Sequence, residues 1–123
     1  RGAVVGHPMR IVDVGCGGGD FLAELAVAFP EAELLGLEVG GAAASTAAQR
    51  VRLLGNARVE EQSFRDADIP PGSVDILSMN HVLEHLGDPV GALVWAVERL
   101  RPGGLLLVEV FRAEETPAEP LKP

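Results

Sequence analysis

Arg10-Ile11-Val12-Asp13-Val14-Gly15-Cys16-Gly17-Gly18-Gly19-Asp20-Phe21 is the stretch that decides how this chain folds. Ile11 to Val14 reads as a buried strand and Asp20 onward as the start of a helix. Between them stand Gly15, Gly17, Gly18 and Gly19, a turn whose backbone can take positive φ and come close to a ligand. The helix that follows offers unpaired N–H groups and the positive end of its dipole. In an open α/β sheet, a turn of this kind at the carboxyl end of a strand is where ligands bind.

The loop is not built for phosphate. A dinucleotide fingerprint counted from Gly15 and Gly17 requires Gly or Ala where Asp20 stands, and counted from Gly17 it meets Leu22. No Lys-Ser or Lys-Thr follows the glycines, so a P-loop is excluded as well. Asp13 and Asp20 favour a ligand that carries a cationic amine. A Rossmann-type oxidoreductase is one alternative, and Asp20 argues against it.

Downstream, Glu33 to Glu38 reads as a second strand ending on a carboxylate. From there Glu38 can accept both ribose hydroxyls of an adenosine. A solvated strand-end charge is the plainer alternative. Ala42 to Leu54 predicts a second helix, rich in alanine and stopped by Gly55. It has few large apolar residues and is expected to cover the sheet thinly. Ala57 to Gln62 reads as a third strand and Val74 to Met79 as a fourth, with Pro70-Pro71-Gly72 turning the chain between them. Asn80 then lies at the end of the fourth strand, beside the glycine loop if strands one and four are neighbours. His81 to Leu86 forms a short helical turn. Asp88-Pro89 starts a helix through Arg101, with Val90, Leu93, Val94, Val97 and Leu100 as its expected apolar face. Trp95 falls off that stripe and is expected to cover another element. Pro102-Gly103-Gly104 is expected to end the helix before a fifth strand, Leu105 to Val110.

Val12-Asp-Val-Gly-Cys-Gly-Gly-Gly19 resembles motif I of the class I S-adenosylmethionine-dependent methyltransferases. Leu35-Gly-Leu-Glu38, Gly72 to Asn80, His81-Val-Leu-Glu-His-Leu86 and Arg101-Pro-Gly-Gly104 resemble the family's later motifs, in the right order and spacing. The resemblance implies a Rossmann-like three-layer α/β sandwich, its mainly parallel sheet ordered 3-2-1-4-5 and truncated after the fifth strand. It implies S-adenosyl-L-methionine as cofactor, held by Asp13, Gly15, Cys16, Gly17, Asp20, Glu38 and Val39, with Val39 against the adenine. Where relatives often carry an acidic residue for the adenine amino group, this chain has Ser63 and Phe64. They are carried as adenine neighbours, with Asp66 as the second choice. Asn80 completes the set. The implied activity is in-line methyl transfer to a small molecule such as a metabolite, quinone, lipid or sugar. His85 and His81 are the candidate bases for an oxygen or carbon acceptor; a histidine in such a turn also commonly bonds backbone or caps a helix. A non-catalytic or incomplete cofactor-binding fragment is the other reading.

The chain has 123 residues, which bounds it to one domain, with a core over 1–112 and a solvated tail over 113–123. Its net charge is −8 and it has no basic cluster, so neither nucleic acid nor an acidic membrane is an expected partner. The apolar runs are too short for a membrane span. Cys16 is the single cysteine, which excludes an internal disulfide and fits a cytoplasmic location. A small filler in the loop is its expected role. The histidines lack metal-ligand spacing. The chain lacks an initiator Met and is expected to be a fragment or a processed form. The fifth strand would then leave an apolar edge, which predicts a homodimer or poor solubility.

Overall fold

A computed structural model describes residues 7–110. The expected tail over 113–123 lies outside the described residues. Five strands form one sheet: β1 (Arg10–Val14), β2 (Glu33–Leu37), β3 (Ala57–Glu60), β4 (Val74–Asn80) and β5 (Leu100–Glu109). All pairings are parallel and the order is β3-β2-β1-β4-β5, as expected. The reversal of strand order lies between β1 and β4, which pair from Ile11↔Ile76 to Val14↔Met79. The glycine loop leaves the sheet at that point.

Alternation along the strands builds two cores. Ile11 and Leu34 face α1 (Asp20–Ala28) and α2 (Gly41–Val51), where they pack with Leu22, Ala26, Ala47 and Val51. Val12, Val14, Leu37, Leu77 and Met79 face the other way, onto α3 (Pro89–Arg99) and Phe64. The helices therefore cover both faces, which is how a parallel sheet keeps its strands buried. α2 buries only Ala44, Ala47 and Val51, the thin cover its alanines predict. It continues as a 3-10 turn over Arg52–Leu54 until Gly55 takes φ 84°. β3 stops at Glu60, two residues before the expected end.

The reading of α3 is corrected in two respects. Its buried residues are Ala92 and Ala96, while Val90, Val94 and Val97 are 68%, 52% and 59% exposed. The opposing sheet face already carries Leu77 and Met79, so the helix comes close through alanines. Trp95 joins the same core, its ring centroid 4.8 Å from that of Phe64. The helix also ends at Arg99 rather than Arg101. Leu100 already pairs with Val74, and the register shifts so that Leu105 pairs with Ile76. Residues 101–104 form the bulge between these rungs, and Arg101 Nη1 bonds Asp75 Oδ1 at 2.7 Å across it. Pro102 has no N–H to offer, and an outward bulge on an edge strand tolerates it.

Candidate functional site

β1 and β2 deliver their carboxyl ends side by side, and the glycine loop folds over them. The N–H groups of Gly15 and Cys16 both donate to the Leu37 carbonyl, at 2.7 and 2.9 Å. Gly15, Gly17 and Gly19 all have positive φ, at 69°, 57° and 91°. Two of them are also pinned sterically. A Cβ on Gly15 would lie 2.6 Å from Val82 Cγ2, and one on Gly19 would lie 2.8 Å from the Ala47 Cα. At Gly17 a Cβ would meet nothing within 4 Å, so this glycine faces open space.

Glu38 closes the loop from the β2 side. Its Oε1 accepts from the Gly17 N–H at 2.8 Å and its Oε2 from the Gly40 N–H at 2.9 Å. Each carboxylate oxygen can accept two hydrogen bonds, so Glu38 keeps capacity for a ligand. Beneath the loop, Asp13 is 2% exposed and accepts from Ser78 Oγ at 2.7 Å. Burial raises its pKa to about 6; the Ser78 bond lowers it and the Glu38 charge raises it further. Cys16 is buried next to them, and burial, with the Asp13 and Glu38 charges, pushes its thiol up to about 12. Such a thiol stays protonated and is a poor nucleophile, which agrees with a filling role.

A cleft of about 340 Å³ opens beside this arrangement, lined by Val14, Gly15, Leu37, Glu38, Val39, Gln62, Ser63, Phe64, His81, Val82, His85 and Leu86. Seven residues singled out from sequence meet there: Gly15, Glu38, Val39, Ser63, Phe64, His81 and His85. Val39 is 68% exposed at its lip, whereas Phe64 is 5% exposed and backed by Trp95. Ser63 Oγ accepts from the Arg65 N–H and so caps the short turn Phe64–Asp66. Asp66 is exposed and does not line the cleft.

Asn80 ends β4 in an adjoining cavity, with Phe21, Leu106, Leu107, Val108 and Glu109. His81 lines both spaces. Its φ of 59° is the one positive value among the described non-glycine residues, and such strain clusters at functional sites. Its Nδ1 lies 3.6 Å from Glu84 Oε2 and its Nε2 3.7 Å from Glu109 Oε1. Asp13, Cys16, Gly17 and Asp20 do not line the cleft. Asp20 sits on the outer side of the loop, 3.2 Å from Arg50 Nη1. Sequence reasoning missed Ser78, Glu109 and Arg50. Ser78 was recoverable from the β1–β4 register, in which it stands opposite Asp13. The other two depend on tertiary placement, which no local pattern carries.

The chemistry of these groups suits a nucleoside without phosphate. Asp13, Asp20 and Glu38 all surround the loop, and Arg50 is already engaged with Asp20 and the Gly18 carbonyl. Apolar walls at Leu37, Val39 and Phe64 stand next to a carboxylate with spare acceptor capacity, and open space lies over Gly17.

A family model described as a methyltransferase domain matches residues 12–106. A trans-aconitate 2-methyltransferase from Deinococcus radiodurans is 40% identical over 101 residues, which cover 82% of this chain and 37% of that protein. A ubiquinone biosynthesis O-methyltransferase from Methylococcus capsulatus is 33% identical over 97 residues, 77% of this chain and 40% of its own length. The chain thus spans less than half the length of the curated relatives it matches. Among solved structures, a SAM dependent methyltransferase from Aquifex aeolicus shares the fold at TM-score 0.77 and 22% identity, covering 93% of this chain and 62% of that one. A geranyl diphosphate methyltransferase solved with GPP and sinefungin aligns at TM-score 0.72 and 25% identity, over 87% of this chain and 39% of its own.

Proposed function

The chain belongs to the class I S-adenosylmethionine-dependent methyltransferases, and on that premise we propose that it holds S-adenosylmethionine across the glycine loop for methyl transfer to a small molecule. The observation that carries this reading is the Glu38 carboxylate bonded to the Gly17 N–H at 2.8 Å, which ties the end of β2 to the loop after β1. In this reading the remaining acceptor sites of Glu38 take the ribose hydroxyls. Val39 and Phe64 flank the adenine, with Ser63 at its edge. The first turn of α1 receives the ligand carboxylate and Asp13 favours its ammonium. Gly15, Cys16 and Gly17 keep the loop slim, and Asn80 borders the methyl-donating end.

When bound, the cofactor supplies a methyl group already activated by a sulfonium. What the protein adds is alignment for in-line transfer, worth ~7–11 kcal/mol when geometry is good. His85 lines the cleft, and His81 lines both the cleft and the adjoining cavity; either can take a proton from a hydroxyl or carbon acceptor. The relatives named above act on trans-aconitate and in ubiquinone biosynthesis, which supports a small-molecule acceptor here.

A second reading, an incomplete cofactor-binding piece that needs further chain or a partner for turnover, is favoured by the short span relative to those proteins. Titration calorimetry with S-adenosylhomocysteine and with NAD tests the cofactor assignment. Binding of the first and not the second is expected; the reverse would overturn it. Turnover with an acceptor panel then separates the two readings.

A further inference from the structure

Arg50 lies on α2, outside the cleft, yet it grips the glycine loop. Its Nε donates to the Gly18 carbonyl at 3.0 Å, and its Nη1 stands 3.2 Å from Asp20 Oδ1. One turn earlier on the same helix, Ala47 packs against Gly19 so closely that no Cβ fits between them. The loop's own donors are largely spent: Gly15 and Cys16 on Leu37, Gly17 on Glu38 and Gly19 on the Cys16 carbonyl. Donors left without an intrahelical partner then belong to the first turn of α1, at Asp20, Phe21 and Leu22. That turn is also where Asp20 brings a negative charge, with Asp13 and Glu38 close by. Among the described residues, Arg50 is the one cation that an ion pair or hydrogen bond brings to this loop.

We propose that Arg50 is a positioning residue that lets this acidic loop accept a ligand with an anionic tail. The inference rests on the cofactor reading above, because S-adenosylmethionine carries a carboxylate beside its ammonium. The guanidinium holds the Asp20 carboxylate to the outer side of the loop and offsets its charge. The positive end of α1 is thereby left to the ligand's carboxylate. The bond to Gly18 fixes the peptide next to the left-handed Gly19.

Two ligands that differ in the amino-acid tail test this. S-adenosylhomocysteine has the carboxylate; 5′-methylthioadenosine keeps the nucleoside and thioether and lacks it. In Arg50→Gln, calorimetric affinity for S-adenosylhomocysteine should fall roughly two- to five-fold, the range for one charge at a helix N-terminus. Affinity for methylthioadenosine should not change. The double variant Asp20→Asn/Arg50→Gln should recover most of the loss, since the charge to be offset is gone. Equal losses for both ligands, no loss for either, or no recovery in the double variant would overturn the proposal. If the unaltered chain fails to bind S-adenosylhomocysteine at all, the cofactor reading itself falls, an outcome separate from a normal wild-type affinity that Arg50→Gln leaves untouched.

Discussion

Asp13 and Glu38 serve one loop from different surroundings. Glu38 accepts two backbone N–H groups at the cleft, whereas Asp13 is sealed under the loop with Ser78 as its hydrogen-bond donor. Burial lifts the folded-state pKa of Asp13 from 3.8 to about 6. The folded chain therefore holds that proton more tightly than the unfolded one. Stability is unaffected by this group below the unfolded value and falls as pH rises from 3.8 to about 6. The full cost of ionising it is of order 3 kcal/mol. Asp13→Asn should remove this dependence. Chemical denaturation of both proteins between pH 4 and 7 should show the variant gaining on the wild type across that window. Parallel profiles would contradict the buried, proton-retaining environment. The fold thus keeps a destabilising carboxylate in its core beneath the glycine loop.

At the level of elements, the glycine loop and the two helices behind it work as one unit, and its glycines are not equivalent. Gly19→Ala should destabilise strongly, because its Cβ would strike the α2 backbone at 2.8 Å. Gly17→Ala meets open space and should cost only the strain of a left-handed residue, about 1–2 kcal/mol. Thermal melts should rank them in that order, and a Gly17→Ala that unfolds as readily as Gly19→Ala would count against this packing. These glycines, the acidic end of β2 and the apolar run of β4 were legible in the sequence because each is a local pattern with a local cause. The face of α3 was not. Val90, Val94 and Val97 repeat at helical spacing just as a buried stripe would, and only the crowding by Leu77 and Met79 selects Ala92 and Ala96 instead. The early start of β5 was hidden in the same way. Leu100 continues a helical pattern until pairing with Val74 claims it. At the site, Glu38 follows from its place at the end of β2 and Phe64 from the family resemblance, while Arg50 and Glu109 reach it only through the fold.

At the scale of the whole molecule, the sheet is well covered at its centre and, among the described residues, open along β5. Among the described residues β5 is an edge strand with Leu105 and Val108 at 51% and 42% exposure, Val110 just past its end is 47% exposed, and α3 carries three further exposed valines. An apolar edge of this kind pairs with another chain unless something covers it. Size-exclusion chromatography should show the chain as a dimer or larger species, and Val108→Lys should shift it towards monomer. A wild type that stays monomeric at high concentration would contradict the expectation. Among the described residues no helix is long and apolar enough to cross a membrane. The central claim is that a nucleoside sits on Gly15–Gly19 with its sugar held by Glu38. Titration of S-adenosylhomocysteine into Glu38→Ala tests it most directly. The account predicts affinity weakened by roughly 1–3 kcal/mol, the scale of a lost charge-assisted hydrogen bond, in a variant that remains folded. Affinity equal to wild type would contradict it.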